Sequence, residues 1–366
     1  MTAPLTAGGS MRGSIDLSHV ASLRDQGRHR EAIDWLHQQV REVLPSGGDA
    51  DAERELVLLR HHAFDDGPTP PPVHHDAPEG GPARASLPEV DAADLSIEVL
   101  REAMASTGCL RVNGLLDAET CASLRAGIDR SLEACDRHLA GAPTEETEPW
   151  FVPFAPRSDR GYRWSGRRKW MRASGGVWTA DSPRMLVTLI ELLQTTGIAA
   201  LAEAWLGERP AMSANKCNLR RTPVGNPGDW HQDGSFLGQD CTSLNFWLAL
   251  SDCGEDAPTM DIVPRRLAEV APTGTEGAMF DWSASPAVAE GLAEPEGILR
   301  PSFSEGDCML FDHLLLHRTA ARPDMPRERY AMETWLFGPS AYPEGQIPLV
   351  YRRGAGRAAP VGLSGA

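Results

Sequence analysis

A chain of 366 residues is long enough for one large domain or two ordinary ones. Its formal net charge of −16 makes a nucleic-acid backbone a poor partner, and 35 glycines with 29 prolines argue against an all-helical bundle. No uncharged apolar run reaches the roughly 18 residues of a membrane span. The best stretch, Met185 to Leu206, is interrupted by Thr188, Glu191, Gln194 and Gly197 and reads as a buried helix. The N-terminus lacks the apolar core of a signal peptide, which predicts a cytoplasmic protein. Seven cysteines without a CxxC pair fit reduced, buried thiols better than a disulfide frame or a zinc site.

Residues 1–66 form a helical appendage in this reading. Gly27 and the Pro45–Gly48 turn divide the helical part into three pieces, and Ala32, Ile33, Leu36, Val40 and Val43 recur at helical spacing. Residues 67–94 are rich in Pro, Gly, Ala and Asp and read as a linker. The pairs His61-His62 and His74-His75 lack a nearby acidic or thiol ligand at useful spacing, so they carry no metal site. From residue 95 the pattern tightens into a domain that runs to 350, followed by a flexible tail over 351–366. Ile97, Leu100 and Met104 predict a helix that stops at Gly108, and Cys109–Val112 a strand. Asp117 is placed to cap a helix whose core stripe runs Cys121, Leu124, Ile128, Leu132 and Cys135. Beyond the 185–206 helix the period shortens to two. Strands are expected over 212–221, 244–250, 260–263, 307–311 and 329–337. The fold class is therefore α+β or mainly β: an antiparallel β core with helices packed on one side, plus the small N-terminal helical segment.

The chemistry concentrates in Trp230-His231-Gln232-Asp233-Gly234. In an extended segment His231 and Asp233 point to the same side, so one imidazole and one carboxylate face a single ion. His317 closes the run that begins Gly306-Asp307-Cys308. Two imidazoles and one carboxylate on one face of an octahedral ion leave three positions open, the ligand set of non-haem Fe(II) oxygenases. A 2-oxo acid then chelates through its carboxylate and keto oxygen and leaves a site for O2. Its far carboxylate needs a cation. Arg329 opens the last strand and its planar fork suits that carboxylate, with Thr319 two residues beyond His317 adding a hydroxyl. Arg327 is a rival for the same role.

The order of these elements resembles the phytanoyl-CoA dioxygenase family of Fe(II)/2-oxoglutarate oxygenases over about residues 95–340. The resemblance rests on the Cys109-Leu-Arg-Val-Asn-Gly-Leu-Leu segment, the Trp-His-Gln-Asp block, Trp247-Leu-Ala-Leu-Ser-Asp, and the Gly-Asp…His-Arg-Thr…Arg-Tyr-Ala run. It implies a double-stranded β-helix (jelly-roll, cupin-like) core. It implies Fe(II) at His231, Asp233 and His317, and 2-oxoglutarate at Arg329 and Thr319, with Asn218 facing the cosubstrate or substrate. Because Asp233 is present as a metal carboxylate, hydroxylation of a small molecule, with release of succinate and CO2, is expected over halogenation. One departure stands out. Where relatives show Pro-Gly-Ser-His, this chain has Val263-Pro264-Arg265-Arg266, a loop that often shapes the site entrance.

Substrate contacts are expected from Trp247 and from the basic, aromatic segment 157–172, chiefly Arg163, Trp164 and Arg167. A positive, aromatic-lined mouth suits an anionic small molecule. The competing reading is an internal ion-pair loop that neutralises the acidic remainder. Two other functions use the same fold: a cupin-type metal enzyme without 2-oxoglutarate, which has no need of Arg329, and a β-barrel binding module that has lost turnover. The intact triad argues against the second.

Overall fold

The computed structural model describes residues 14–65, 71, 73, 79–160, 162 and 167–352. Expected elements outside these, including His74, His75, Arg163, Trp164 and the tail from 353, are not described. In chain order the elements are α1 (Ser18–Asp25), α2 (His29–Val43), α3 (Ala50–Asp65), β1 (Glu89–Asp91), α4 (Ile97–Ser106), β2 (Cys109–Asn113), α5 (Ala118–Leu139), α6 (Arg167–Ala173), β3 (Gly176–Trp178), α7 (Pro183–Thr195), α8 (Ile198–Leu206), β4 (Ala211–Ser213), β5 (Asn218–Thr222), α9 (Gly234–Leu237), β6 (Ser243–Ala249), β7 (Thr259–Ile262), α10 (Pro286–Ala293), β8 (Cys308–Phe311), β9 (His317–Ala320), β10 (Arg329–Phe337) and β11 (Pro348–Val350).

The large sheet runs β1-β2-β8-β6-β10-β4-β11, with β5 also on β10 and β3 on β5. The small sheet pairs β7 with β9. Isolated bridges extend it: His231 with His317, Trp230 with Ala284, Ile262 with Leu299 and Cys253 with Phe303. Alternation along the large-sheet strands sorts two cores. Leu219, Leu244, Phe246, Leu248, Leu310, Met332 and Leu336 share one core with Leu124, Ile128 and Leu132 of α5 and Leu186, Leu189 and Ile190 of α7. Trp247, Ala249, Met309, Phe311, Ala331 and Trp335 share the other with Met260 and Ile262 of the small sheet. Two facing sheets with helices on the outer face of one are the double-stranded β-helix expected of this sequence.

Three local differences have physical causes. The apolar run 185–206 is two helices bent by 76°, because Gly197 adopts a left-handed φ of 78°. No single helix among the described residues is long and apolar enough to cross a membrane. The 212–221 run breaks between β4 and β5, where Lys216 and Cys217 turn back to bond Ser213 O. Residues 89–91, inside the Pro/Gly-rich segment, form β1 and pair in parallel with β2.

Helices α1–α3 bury Val20, Leu23, Ile33, Leu36, Val40, Leu56 and Leu59 among themselves and against Val187 of α7. Polar contacts dock them. Arg184 grips the fully buried Glu53 through Nε and Nη2 at 2.7 and 2.8 Å. Arg60 donates to Val350 O and Arg352 O, and Arg352 pairs with Asp34. His61 donates from Nδ1 to Pro348 O and accepts Arg157 N–H at Nε2, a packing role. All seven cysteines are free and buried, and burial pushes the Cys109, Cys135, Cys217 and Cys241 thiols up to about 12.

Removing Glu53 leaves the Arg184 guanidinium partly buried without its partner. Glu53→Ala should cost about 3–5 kcal/mol, read as a lowered urea midpoint. Glu31→Ala, which breaks the exposed Arg28–Glu31 pair, should leave the midpoint where it is.

Candidate metal and cosubstrate site

The two histidines come from strands far apart in sequence and are joined by their own backbones. His231 N donates to His317 O at 2.9 Å, and His317 N donates back to His231 O at 3.0 Å. The ring centroids lie 4.5 Å apart. Each Nδ1 faces a backbone carbonyl, Asp229 O at 2.9 Å and Leu315 O at 3.0 Å. A carbonyl only accepts, so Nδ1 carries a proton on both rings and Nε2 is the atom on each that can offer a lone pair to a metal. Burial, then His317, pushes His231 down to about 4, against the pull of Asp233. The ring is thus neutral near pH 7, the form that binds a metal.

Asp233 does not sit on an extended segment as the spacing suggested. Its backbone is helical, with φ −62° and ψ −25°, and it opens α9. The carboxylate still meets the imidazoles: ligand atoms of His231, Asp233 and His317 all lie within 4.8 Å of one another. Burial raises Asp233, but Lys216, His231 and His317 together hold it below the usual carboxylate value. Gln232, between the ligands, points the other way. It donates to Glu269 O and Leu314 O and accepts from Ala271 N at 2.6 Å, pinning the loops on either side. Gly234 packs tightly: a Cβ there would meet the His313 ring at 3.0 Å and His313 O at 3.2 Å, so a larger residue would press on this loop. His313 itself bonds Ser243 Oγ and Gln239 O and is not part of the cluster.

Arg329 lies across the gap between the sheets. It donates to Thr259 O at 3.2 Å, Pro258 O at 3.4 Å and Thr222 Oγ1 at 3.0 Å, and its guanidinium covers the Trp247 ring at 5.2 Å. It is 4% exposed, and among the described residues no carboxylate pairs with it. Its Nε has no partner among the described residues. Burial pushes it down to about 10, which leaves it charged at neutral pH. Arg327, the rival, is exposed and faces Asp256. Strand β7 measures the gap: Ile262 pairs with His317, Met260 with Thr319, and Thr259 O holds Arg329. Three residues of strand span about 10 Å, and Thr319, opposite Met260, lies two residues from the His317 end and one from the Thr259 end.

Other inner-face groups lack protein partners in the same space: Asn218 Oδ1, both amide atoms of Asn245, and Trp335 Nε1. A metal bonded to two neutral imidazoles and a carboxylate, with a dicarboxylate reaching an unpaired guanidinium, fits this donor set. Asn218 Nδ2 donates to Glu333 at 3.0 Å. Sequence reasoning did not single out Asn245, Gln232 or Lys216. A polar residue in the inward register of an apolar strand was the available signal for Asn245.

Trp247, expected at the substrate, is 5% exposed and lies between Arg329 and Phe303, so it floors the guanidinium. In the basic segment, Arg157 binds Asp159, Arg168 binds the buried Asp181 and covers Trp178, and Arg172 binds Asp136. These three follow the ion-pair reading. Arg167 begins α6, and Arg163 and Trp164 lie outside the described residues. The Val263–Arg266 departure is structural: Arg266 pairs with the buried Asp312, and Arg265 donates to Gly81 O and Leu292 O.

Residues 104–327, more than half of the chain, match the family described as Phytanoyl-CoA dioxygenase (PhyH). No curated protein sequence matches. Among solved structures the chain is similar to EctD from S. alaskensis with 2-oxoglutarate and 5-hydroxyectoine, at 18% identity, 68% of this chain, 78% of that chain and TM-score 0.45. It is similar to the non-heme alpha ketoglutarate dependent epimerase SnoN from nogalamycin biosynthesis, at 20%, 66%, 82% and 0.40. It is also similar to EvdO2 from Micromonospora carbonacea var. aurantiaca complexed with 2-oxoglutarate, at 17%, 69%, 91% and 0.40.

Gln232 fixes both ligands without touching the ion. Gln232→Ala should weaken Co(II) binding by about 10–100-fold, measured by titration of the visible cobalt spectrum, while both histidines and Asp233 remain in place. An unchanged affinity would show that the loops hold the ligands without it.

Proposed function

The chain belongs to the phytanoyl-CoA dioxygenase (PhyH) family of Fe(II)/2-oxoglutarate-dependent oxygenases, and from that membership we propose that it hydroxylates a small molecule at a centre held by His231, Asp233 and His317. The observation that carries the reading is Arg329, a buried guanidinium with no carboxylate partner among the described residues, about 10 Å along β7 from the histidines. A five-carbon dicarboxylate bound to metal at one end reaches that distance. A metal enzyme without a cosubstrate would have no use for such a cation, and burying it unpaired would be costly.

In this assignment each side chain has one task. His231 and His317 present Nε2 because backbone carbonyls hold the Nδ1 protons. Asp233 supplies the anionic ligand and fills the position a halide would need. Arg329 binds the far carboxylate of 2-oxoglutarate, Thr319 adds a hydroxyl to it, and Asn218 turns its unpaired oxygen toward the same space. Phe311, Trp335 and Phe337 pack the interior and exclude water from the reacting atoms. Fe(II) held there would activate O2, with 2-oxoglutarate as the two-electron reductant that is converted to succinate and CO2, so that one oxygen atom enters succinate and the other a substrate C–H bond.

Anaerobic Fe(II) and 2-oxoglutarate should give a weak visible charge-transfer band in the wild-type protein. His231→Ala, Asp233→Ala and His317→Ala should lose it and lose succinate formation while remaining folded by circular dichroism. Full turnover in any of the three would refute the triad.

Arg329→Ala should raise the 2-oxoglutarate KM by about two to three and a half decades, the equivalent of about 3–5 kcal/mol, with metal binding intact. Arg329→Lys should recover part, since an ammonium cannot form the fork. Arg327→Ala should change little. Loss of 2-oxoglutarate in the Arg327 variant alone would move the assignment to that residue.

A further inference from the structure

Beside the metal ligands lies a feature that the triad and Arg329 do not use. Lys216 Nζ is 3.5 Å from Asp233 Oδ1 and 3.6 Å from the centroid of the Phe236 ring. Phe236 packs edge-on against Trp282 at 5.7 Å, and Trp282 in turn meets the His231 ring at 5.9 Å. Phe280 stacks on Trp282 at 5.1 Å with the rings 10° apart. Trp282, Phe280 and Met279 are 38%, 48% and 66% exposed, in one turn beside the metal ligands. Exposed aromatic surface gathered at a buried polar site marks a ligand face.

The charges in this space leave one cation over. Asp233 is the partner of Lys216 while no metal competes for it. Once a divalent ion takes Asp233, that carboxylate is shared, and Arg329 is committed to the far end of the cosubstrate. The remaining carboxylate on this wall, Glu333, also attracts Lys216, but without contact and more weakly than Asp233; it accepts from Asn218 at 3.0 Å and is shared with Arg220 at 3.9 Å. Lys216, only 22% exposed, is then left without a full counter-charge, and a poorly solvated ammonium draws an anion.

Resting on the oxygenase reading above, we propose that Lys216 is the anion-recognition residue for the primary substrate, and that this substrate is a carboxylic acid with a flat apolar body stacked on Trp282 and Phe280. The anion site thus lies on the turn between β4 and β5, between the ligands and the aromatic wall. Lys216 is a specificity residue in this role and takes no part in bond making. The same placement explains why the chain puts a lysine next to a metal carboxylate: the ion pair occupies both groups until metal and substrate part them.

The test uses full-length protein loaded with Co(II) and saturating 2-oxoglutarate, with 1-naphthoate and 1-naphthamide as probes in equilibrium dialysis. Wild-type protein should hold the carboxylate at least about tenfold tighter than the amide, a difference of about 1.4 kcal/mol. Lys216→Met keeps the stem and removes the charge, and it should bind the two probes alike. Trp282→Ala should weaken both. The Co(II) spectrum and 2-oxoglutarate binding are read in the same samples. A naphthoate preference that survives in Lys216→Met overturns the proposal, as does wild-type protein that prefers neither probe or holds neither. Weaker Co(II) binding in Lys216→Met also overturns it, because Lys216 would then serve only to orient Asp233. Failure of wild-type protein to bind Co(II) or 2-oxoglutarate at all would instead remove the oxygenase reading on which the proposal stands.

Discussion

Everything at this centre depends on two backbone hydrogen bonds, from His231 N to His317 O and from His317 N to His231 O. This reciprocal pair is the narrow rung of an antiparallel ladder. It sets the two imidazoles side by side without any side-chain adjustment, and the carbonyls two residues upstream of each histidine fix both tautomers. A metal needs ligands that already converge, because gathering loose side chains costs conformational entropy. Here the sheet has met that cost in advance. The third ligand follows from the same rung: the chain leaves the bridge at His231, Gln232 turns outward into the loops, and Asp233 begins a helix with its carboxylate directed back at the rings.

The interior between the two sheets combines a dry wall with a small set of charges. Trp335, Phe311 and Phe337 are fully buried there, and Arg329, Glu333, Asn218 and Asn245 share the inward register with them. Polar atoms left without protein partners in a core are normally destabilising. Their concentration on one face, at Asn218, Asn245, Trp335 and Arg329, is what a site built around a polar guest requires. The opposite face of the same strands is packed mainly with aliphatic residues against α5 and α7, with Thr334 Oγ1 as an isolated buried hydroxyl there.

Much of this was legible in the sequence because period and residue type agreed. The strand 329–337 was bounded correctly by its alternation, and that register put Arg329 inward and Arg327 outside the strand. His231, Asp233 and His317, which the structure gathers within 4.8 Å, stand out through the ordered combination of HxD, a Gly-Asp strand, a second His and an Arg that opens a strand, since HxD alone is common. The fold class followed from the change of period after residue 206. What was not legible depended on turns. Lys216 lay inside a run that read as one strand, and only the break after Ser213 brings it to Asp233. Trp247, expected at the substrate, is carried by the inward register of β6 under Arg329, a neighbour that sequence separation hides. For Arg168 and Arg172 the sequence leaves two readings open, a positive mouth and an internal ion-pair loop, because the carboxylates that pair with them, Asp181 and Asp136, sit on other elements. The β1 strand could not be seen in a segment rich in Pro and Gly, since its three residues gain order from β2 and not from their own propensity.

Under the proposed assignment, the position of Arg329 also accounts for the length of acid that fits. Its guanidinium is tethered on three sides, by Thr222 Oγ1, Thr259 O and Pro258 O, and rests on Trp247. It cannot advance toward the histidines without breaking these bonds in a place where nothing replaces them. The distance to the ligands is therefore set by strand register, from Thr259 to Ile262, and not by side-chain flexibility. Under the proposed assignment a shorter diacid would leave either the metal or the guanidinium unsatisfied, and a longer one would have to buckle against the Trp247 and Phe303 rings. Selection of the cosubstrate is thus a property of the sheet, whereas selection of the substrate falls to the Lys216 turn and the aromatic residues at 280 and 282, which the sheet does not hold.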